Sequence, residues 1–232
     1  MKKLILSILA VSVLSGCGSV ALMTKTSELN AQPEMLIKTE GDFWGLGQEG
    51  SFDIVGQYTG KYDRSSSGST WFNTISTKEG DMVAEITRTD NGKKWTLVCS
   101  GGGTSINVGG LSFGGNKPYR CDINRDGVMI GEYEMKPSSA AISLDVAKYE
   151  SGTVRINNEH LNVKSVHKSD DLFMTVEKPL GYVFEQGTQS VAAVQTNGLL
   201  SLQMLPDLST DKQDLIIVGS IASALSWRPE EH

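Results

Sequence analysis

Asp122-Ile123-Asn124-Arg125-Asp126-Gly127 offers side chains that could hold a cation. Oxygen ligands at alternating positions, with glycine for the sharp turn, are what the first half of a calcium loop needs. The bidentate glutamate of such a loop belongs at position twelve. Here that position is Tyr133, and Glu132 and Glu134 fall to either side. A hairpin turn accounts for Asn124 to Gly127 without metal and is the preferred reading. Asp122, Asn124 and Asp126 stand as the calcium alternative. Groups for catalysis are scarce. The histidines are His160, His167 and His232. His160 and His167 differ by an odd count, so in one regular strand they face opposite sides. A Ser/His/Asp triad assembles in space, but surface histidines are the reading adopted. Ser100 to Thr104 and Val108 to Gly115 are glycine-rich without the lysine or ordered glycine spacing of a phosphate cradle. They read as a flexible loop or a strand crossing. Phe43, Trp44, Trp71, Phe72 and Trp95 read as core or barrel lining rather than a sugar platform. No catalytic residue is nominated and no cofactor is called for.

The chain starts with Met1-Lys2-Lys3, followed by an apolar run from Leu4 to Leu14 that ends in Leu14-Ser15-Gly16-Cys17. A positive start, a short apolar run and small residues at a cleavage point make a secretory signal. The run is too short to cross a bilayer, which takes roughly 20 apolar residues. Leu14-Ser15-Gly16-Cys17 resembles the bacterial lipobox. The resemblance implies that residues 1–16 are removed and that Cys17 carries lipid. Gly18 rather than aspartate follows the cysteine, which by the same resemblance implies the outer membrane; the periplasmic side is expected, with the cell surface as the alternative. Several acyl chains anchor stably where one binds reversibly.

With Cys17 committed to lipid, Cys99 and Cys121 remain as an even pair in an oxidising compartment. A metal site would need ligand-spaced histidine or acid neighbours, and none sits near Cys99. A disulfide is therefore expected, contributing on the order of 3 kcal/mol. Without Lys2 and Lys3 the mature chain carries 19 basic and 27 acidic side chains, a balance of −8. That argues against nucleic acid and against a broad anionic lipid face as partners, since both call for basic patches.

Gly18 to Gln32 is rich in Ser, Thr, Ala and Asn, so residues 17–34 are expected to form a lipidated tether, with at most a short helix over Ser27 to Asn30. From Met35 the chain reads as strand after strand. Expected strands are Ser51–Tyr58, Thr70–Ile75, Met82–Arg88, Lys94–Cys99, Tyr119–Ile123, Val128–Met135, Ala140–Val146, Thr153–Ile156, His160–Val166, Leu172–Val176, Tyr182–Glu185, Val191–Gln195 and Leu199–Met204. Turn residues such as Asn91-Gly92, Asp126-Gly127, Asn157-Asn158 and Asn197-Gly198 separate them. The end of the chain differs. Ser209-Thr210-Asp211 supplies caps, with Gln213 three residues after Thr210 as in a capping box. Leu215-Ile216-Ile217-Val218 covers nearly a full turn with apolar side chains, continued by Ile221, Ala222, Ala224 and Leu225. A helix apolar all round is buried. Gly219, Ser223 and Ser226 give it one small face. The segment from Leu215 to Trp227 is too short for a membrane span.

These features predict a mainly β chain: a single barrel or sandwich of about a dozen short antiparallel strands with one buried C-terminal helix over 211–226. Residues 35–232 form the domain. Pro179 to Phe184, Val191 to Val194 and Leu215 to Trp227 resemble the tubby and phospholipid-scramblase barrel. That resemblance implies a closed sheet around a hydrophobic C-terminal helix. Tubby domains read phosphoinositides through basic residues; this acidic chain has no matching cluster, so that activity is not carried over. The function expected is a non-catalytic envelope module, binding or structural, that docks an envelope protein or holds a small apolar ligand. The alternative is a hydrolase or calcium-assisted enzyme acting on an envelope polymer or lipid.

Overall fold

The computed structural model describes residues 20–41, 49–64, 82–101, 106–108, 111–113, 118–137, 147 and 149–225. The strands are β1 Met35–Gly41, β2 Glu49–Ile54, β3 Tyr58–Asp63, β4 Met82–Arg88, β5 Lys94–Ser100, β6 Ile106–Val108, β7 Leu111–Phe113, β8 Tyr119–Arg125, β9 Val128–Pro137, β10 Glu150–Ile156, β11 Glu159–Val166, β12 Gly181–Gln186, β13 Gln189–Gln195 and β14 Ser201–Met204. Two helices flank them, α1 Ser27–Asn30 and α2 Thr210–Ala224. All strands but β6 and β7 form one closed antiparallel barrel, in the order β1-β14-β13-β12-β11-β10-β9-β8-β5-β4-β3-β2 and back to β1. β6 and β7 pair only with each other, as a hairpin within the glycine-rich segment.

Period-two alternation builds the wall. Trp95, Leu97 and Cys99 of β5 point inward, as do Tyr119, Cys121 and Ile123 of β8 and Leu161 and Val163 of β11. Cys99 and Cys121 lie directly opposite in the β5–β8 register and form the expected disulfide. Into this cylinder runs α2. Leu215 to Val218, Ile221 and Ala222 are all buried and join the core of the strands. Ser209 is the N-cap and accepts from the Lys212 N–H. Gln213 bonds the Leu208 carbonyl at 2.9 Å, so the cap sits one residue before the expected Thr210. The small residues sit where the wall comes closest. A Cβ on Gly219 would stand 2.8 Å from the Phe184 ring and 3.3 Å from Val154. Ser223 Oγ lies 2.8 Å from the Tyr133 hydroxyl and donates to the Gly219 carbonyl.

The barrel has two unlike ends. The tight turns at residues 55–57, 126–127, 157–158 and 187–188, and the entry of α2, share one end, here the turn end. The connections 167–180 and 196–200 lie at the other, the loop end.

Three expectations are corrected. The strand expected over 51–58 is two strands, because the chain reverses at Val55-Gly56-Gln57. Val55 and Gly56 both have positive φ, 45° and 71°. Valine rarely adopts that region, but Asp53 Oδ1 accepts the Gly56 N–H at 2.9 Å and holds the turn. Leu172–Val176 is not a strand: β11 pairs directly with β12, Val166 opposite Gly181, and the segment between is an excursion closed by Val176 N–H to the His167 carbonyl. Residues 20–34 are not a free tether. Met23 and Leu29 pack with Leu180 and Ala193 in a second apolar cluster on the outside of the wall. The Met23 N–H donates to Gln195 Oε1 at 2.8 Å, and Lys25 Nζ to Gln203 Oε1 at 2.6 Å. α1, capped by Thr26, is part of this packing. Residues 1–16, Cys17, the strands expected over 70–75 and 140–146, the end of the helix beyond Leu225, Phe43, Trp44, Trp71, Phe72 and His232 lie outside the described residues.

If the N-terminal segment is part of the fold, Leu29→Ala leaves a cavity and lowers stability by about 2–5 kcal/mol. Urea titration of the full chain measures it, and a free tether would show no change.

Candidate functional site

At the turn end, a carboxylate sits among apolar neighbours. Asp214 stands just before Leu215 on α2, and its side chain is 3% exposed. The Tyr58 hydroxyl donates to its Oδ1 at 2.8 Å and Arg88 to the same atom at 3.1 Å, while Lys93 reaches Oδ2 at 2.7 Å. The sheet sets these positions: Tyr58 opens β3, Arg88 ends β4 directly opposite it, and Lys93 immediately precedes β5. Arg88 also binds Asp90 at 2.9 Å, a bond that raises its already high pKa. Burial pushes the Tyr58 phenol well above its ordinary value, and its bond to Asp214 adds to the shift. Three donors hold Asp214, so it acts as a clamp fixing the start of α2 against the ends of β3 to β5.

A cleft of about 290 Å³ adjoins the clamp, lined among others by Lys93, Trp95, Arg125, Asn157, Glu159 and Asp211. Lys93 and Arg125 stand 5.1 and 5.3 Å from the centre of the Trp95 ring. Trp95 Nε1 and Arg125 Nε make no hydrogen bond among the described residues. With both signs of charge on its walls, the cleft suits a small polar group rather than an apolar one.

At the loop end, His167 is 1% exposed. Its Nδ1 lies 2.9 Å from the Val176 carbonyl, which can only accept, so Nδ1 carries the proton. Nε2 faces Ser165 Oγ at 2.9 Å, and the Ser165 hydroxyl also lies 3.3 Å from the Glu150 carbonyl. Ser165 Oγ in turn accepts the Glu150 N–H at 2.9 Å. The reading of surface histidines is thus corrected for His167. His160 is exposed and His167 buried, on opposite sides as their odd spacing requires. His167 continues the inward face of Leu161, Val163 and Ser165. The third partner is a carbonyl rather than a carboxylate, and the pair closes the base of the 167–176 excursion.

The calcium candidates fall elsewhere. Arg125 pairs with Val128 across Asp126 and Gly127, whose φ values are 51° and 76°. This is the hairpin turn. Asp122 is exposed on the outer face, whereas Tyr133, at the twelfth position, points inward.

Asp214, Tyr58 and Arg88 were not singled out from sequence. The available signal was Asp214 set directly against the apolar run Leu215 to Val218, because a buried carboxylate demands partners. Comparison of the chain with protein-family models, with curated proteins and with solved structures finds no match.

Removing Asp214 leaves the Tyr58 hydroxyl without its acceptor, while Arg88 keeps Asp90 and Lys93 keeps Asp211. Asp214→Ala is expected to cost about 1–3 kcal/mol, read by chemical denaturation. The clamp also gives a pH dependence. Tyr58 keeps its proton in the fold at pH values where the unfolded chain loses it. Its contribution is intact below about pH 10 and is lost as pH rises further. Melting temperatures between pH 8 and 11 should fall less steeply in Tyr58→Phe than in the parent.

Proposed function

We propose that this chain is a lipid-anchored protein of the bacterial outer membrane, facing the periplasm, and that it acts as a non-catalytic binding or structural module. The observation behind this reading is the N-terminal segment. Residues Val20 to Gln32 run along the outside of β12 to β14 and are fixed there by Met23, Leu29 and their hydrogen bonds. A lipid on Cys17 would then hold the barrel wall itself close to the membrane.

The polar constellations support the non-catalytic class. Asp214 is held by Tyr58, Arg88 and Lys93, and both ring nitrogens of His167 have partners in Ser165 and Val176. These groups serve the fold. α2 occupies the barrel axis, so an envelope protein or small apolar ligand would be met on the outer surface or at an end of the barrel. A closed antiparallel sheet with a C-terminal helix is also the arrangement that the resemblance to the tubby and scramblase barrel implies.

The Ser165–His167 contact favours a second reading, an envelope hydrolase. A fluorophosphonate probe distinguishes the two: the module remains unlabelled, and labelling lost in Ser165→Ala would establish the hydrolase. The anchor has its own test. Cells given a fatty-acid probe should yield labelled parent protein and unlabelled Cys17→Ser. Persistent label in the variant would contradict lipidation at Cys17.

A further inference from the structure

The apolar side chains that the fold leaves in solvent include a group at the loop end. Phe173 is 103% exposed, Met174 72% and Leu199 64%, with Leu172 also exposed. Phe173 is thus as open as in an extended chain, at the tip of the 167–176 excursion. That excursion is firmly based: His167 bonds Val176 through both its ring and its carbonyl. The N-terminal segment arrives at the same end. Half-exposed Val20 packs against Gly198, in the connection that carries Leu199. Asn197 Nδ2 donates to the Ala21 carbonyl at 3.0 Å. Thr24 joins the excursion, its N–H bonding the Lys168 carbonyl at 2.9 Å and its hydroxyl Asp170 at 3.0 Å.

Chain length turns this placement into a constraint. Three peptide units separate Cys17 from Val20, a reach on the order of 10 Å. A lipidated Cys17 would thus hold the loop end against the bilayer. We propose that the loop end docks on the membrane that carries the Cys17 lipid, with Leu172, Phe173 and Met174 entering the boundary between headgroups and acyl chains. The proposal rests on the lipid-anchor reading. An aromatic flanked by two flexible apolar side chains suits that boundary, and each buried side chain adds to the anchor. The connection 167–180 carries Lys168 and Lys178 against Asp170, Asp171 and Glu177. Its contact is therefore apolar and only weakly dependent on salt or on anionic lipid. Exposed Val128 and Met129 lie at the turn end, away from the anchor, and supply a control.

The test uses full-length lipidated protein in vesicles of phosphatidylethanolamine and phosphatidylglycerol. Phe173→Cys carries a polarity-sensitive fluorophore, with Met129→Cys labelled in parallel. Neither position bears on the fold, and Cys99 and Cys121 are already bonded. The probe at 173 should shift to the blue and be quenched by lipids brominated in the upper acyl chain. The probe at 129 should keep its aqueous spectrum, and added salt should leave both unchanged. Mass spectrometry of the same sample reads Cys17. Acylated Cys17 with an aqueous probe at 173, or equal responses at 173 and 129, overturns the docking proposal alone. Unacylated Cys17 overturns the anchor reading and the proposal with it.

Discussion

The structure depends on a mutual requirement between sheet and helix. A closed sheet of twelve strands encloses more space than inward side chains can fill, since about eight strands are the width that side chains alone fill. A helix apolar on every side has no face to give to water. Leu215 to Val218, Ile221 and Ala222 answer both demands at once. Gly219 and Ser223 let Phe184, Val154 and Tyr133 approach. Polar groups fix the depth and direction of the helix, with Asp214 held by three strand-end residues at its start and Ser223 by Tyr133 near its finish.

Filling the axis leaves the outer surface and the two ends of the barrel as its accessible faces. β13 shows the consequence most plainly. Val191, Ala192 and Val194 belong to the central core, while Ala193 belongs to the outer cluster with Met23 and Leu29. A strand covered on both faces reads as a continuous apolar run, as Val191-Ala192-Ala193-Val194 does. The outer cover is the N-terminal segment, so the element nearest the proposed anchor is built into the wall. Val20, the excursion and its exposed apolar tip then lie at one end, and the clamp and polar cleft at the other.

Local chemistry was legible in the sequence. Asn91-Gly92, Asp126-Gly127 and Asn157-Asn158 placed three hairpins, and the apolar run after Ser209 placed α2 to within two residues at either end. The paired cysteines fell opposite each other in adjacent strands. What stayed hidden depends on distance. The turn at Val55 relies on Asp53 to hold a valine in an unfavourable φ region. Residues 20–34 look like a tether because their few apolar side chains, Met23 and Leu29 among them, acquire a partner surface only when β12 and β13 are assembled. Leu172 to Val176 is β-like in composition, yet β11 and β12 already pair without it. Of the site, Asp214 gave a hint and its partners none, because Tyr58, Arg88 and Lys93 are brought to it from three strand ends.

Hydrogen exchange of the amides from Ile216 to Ala222 tests the central claim most directly. A helix that is the core of the barrel can exchange only when the whole sheet opens. Those amides should therefore exchange at the rate of global unfolding, together with the amides of β11 to β13. Exchange of the helix while the strands remain protected would show that α2 detaches from an intact barrel, and would contradict the account.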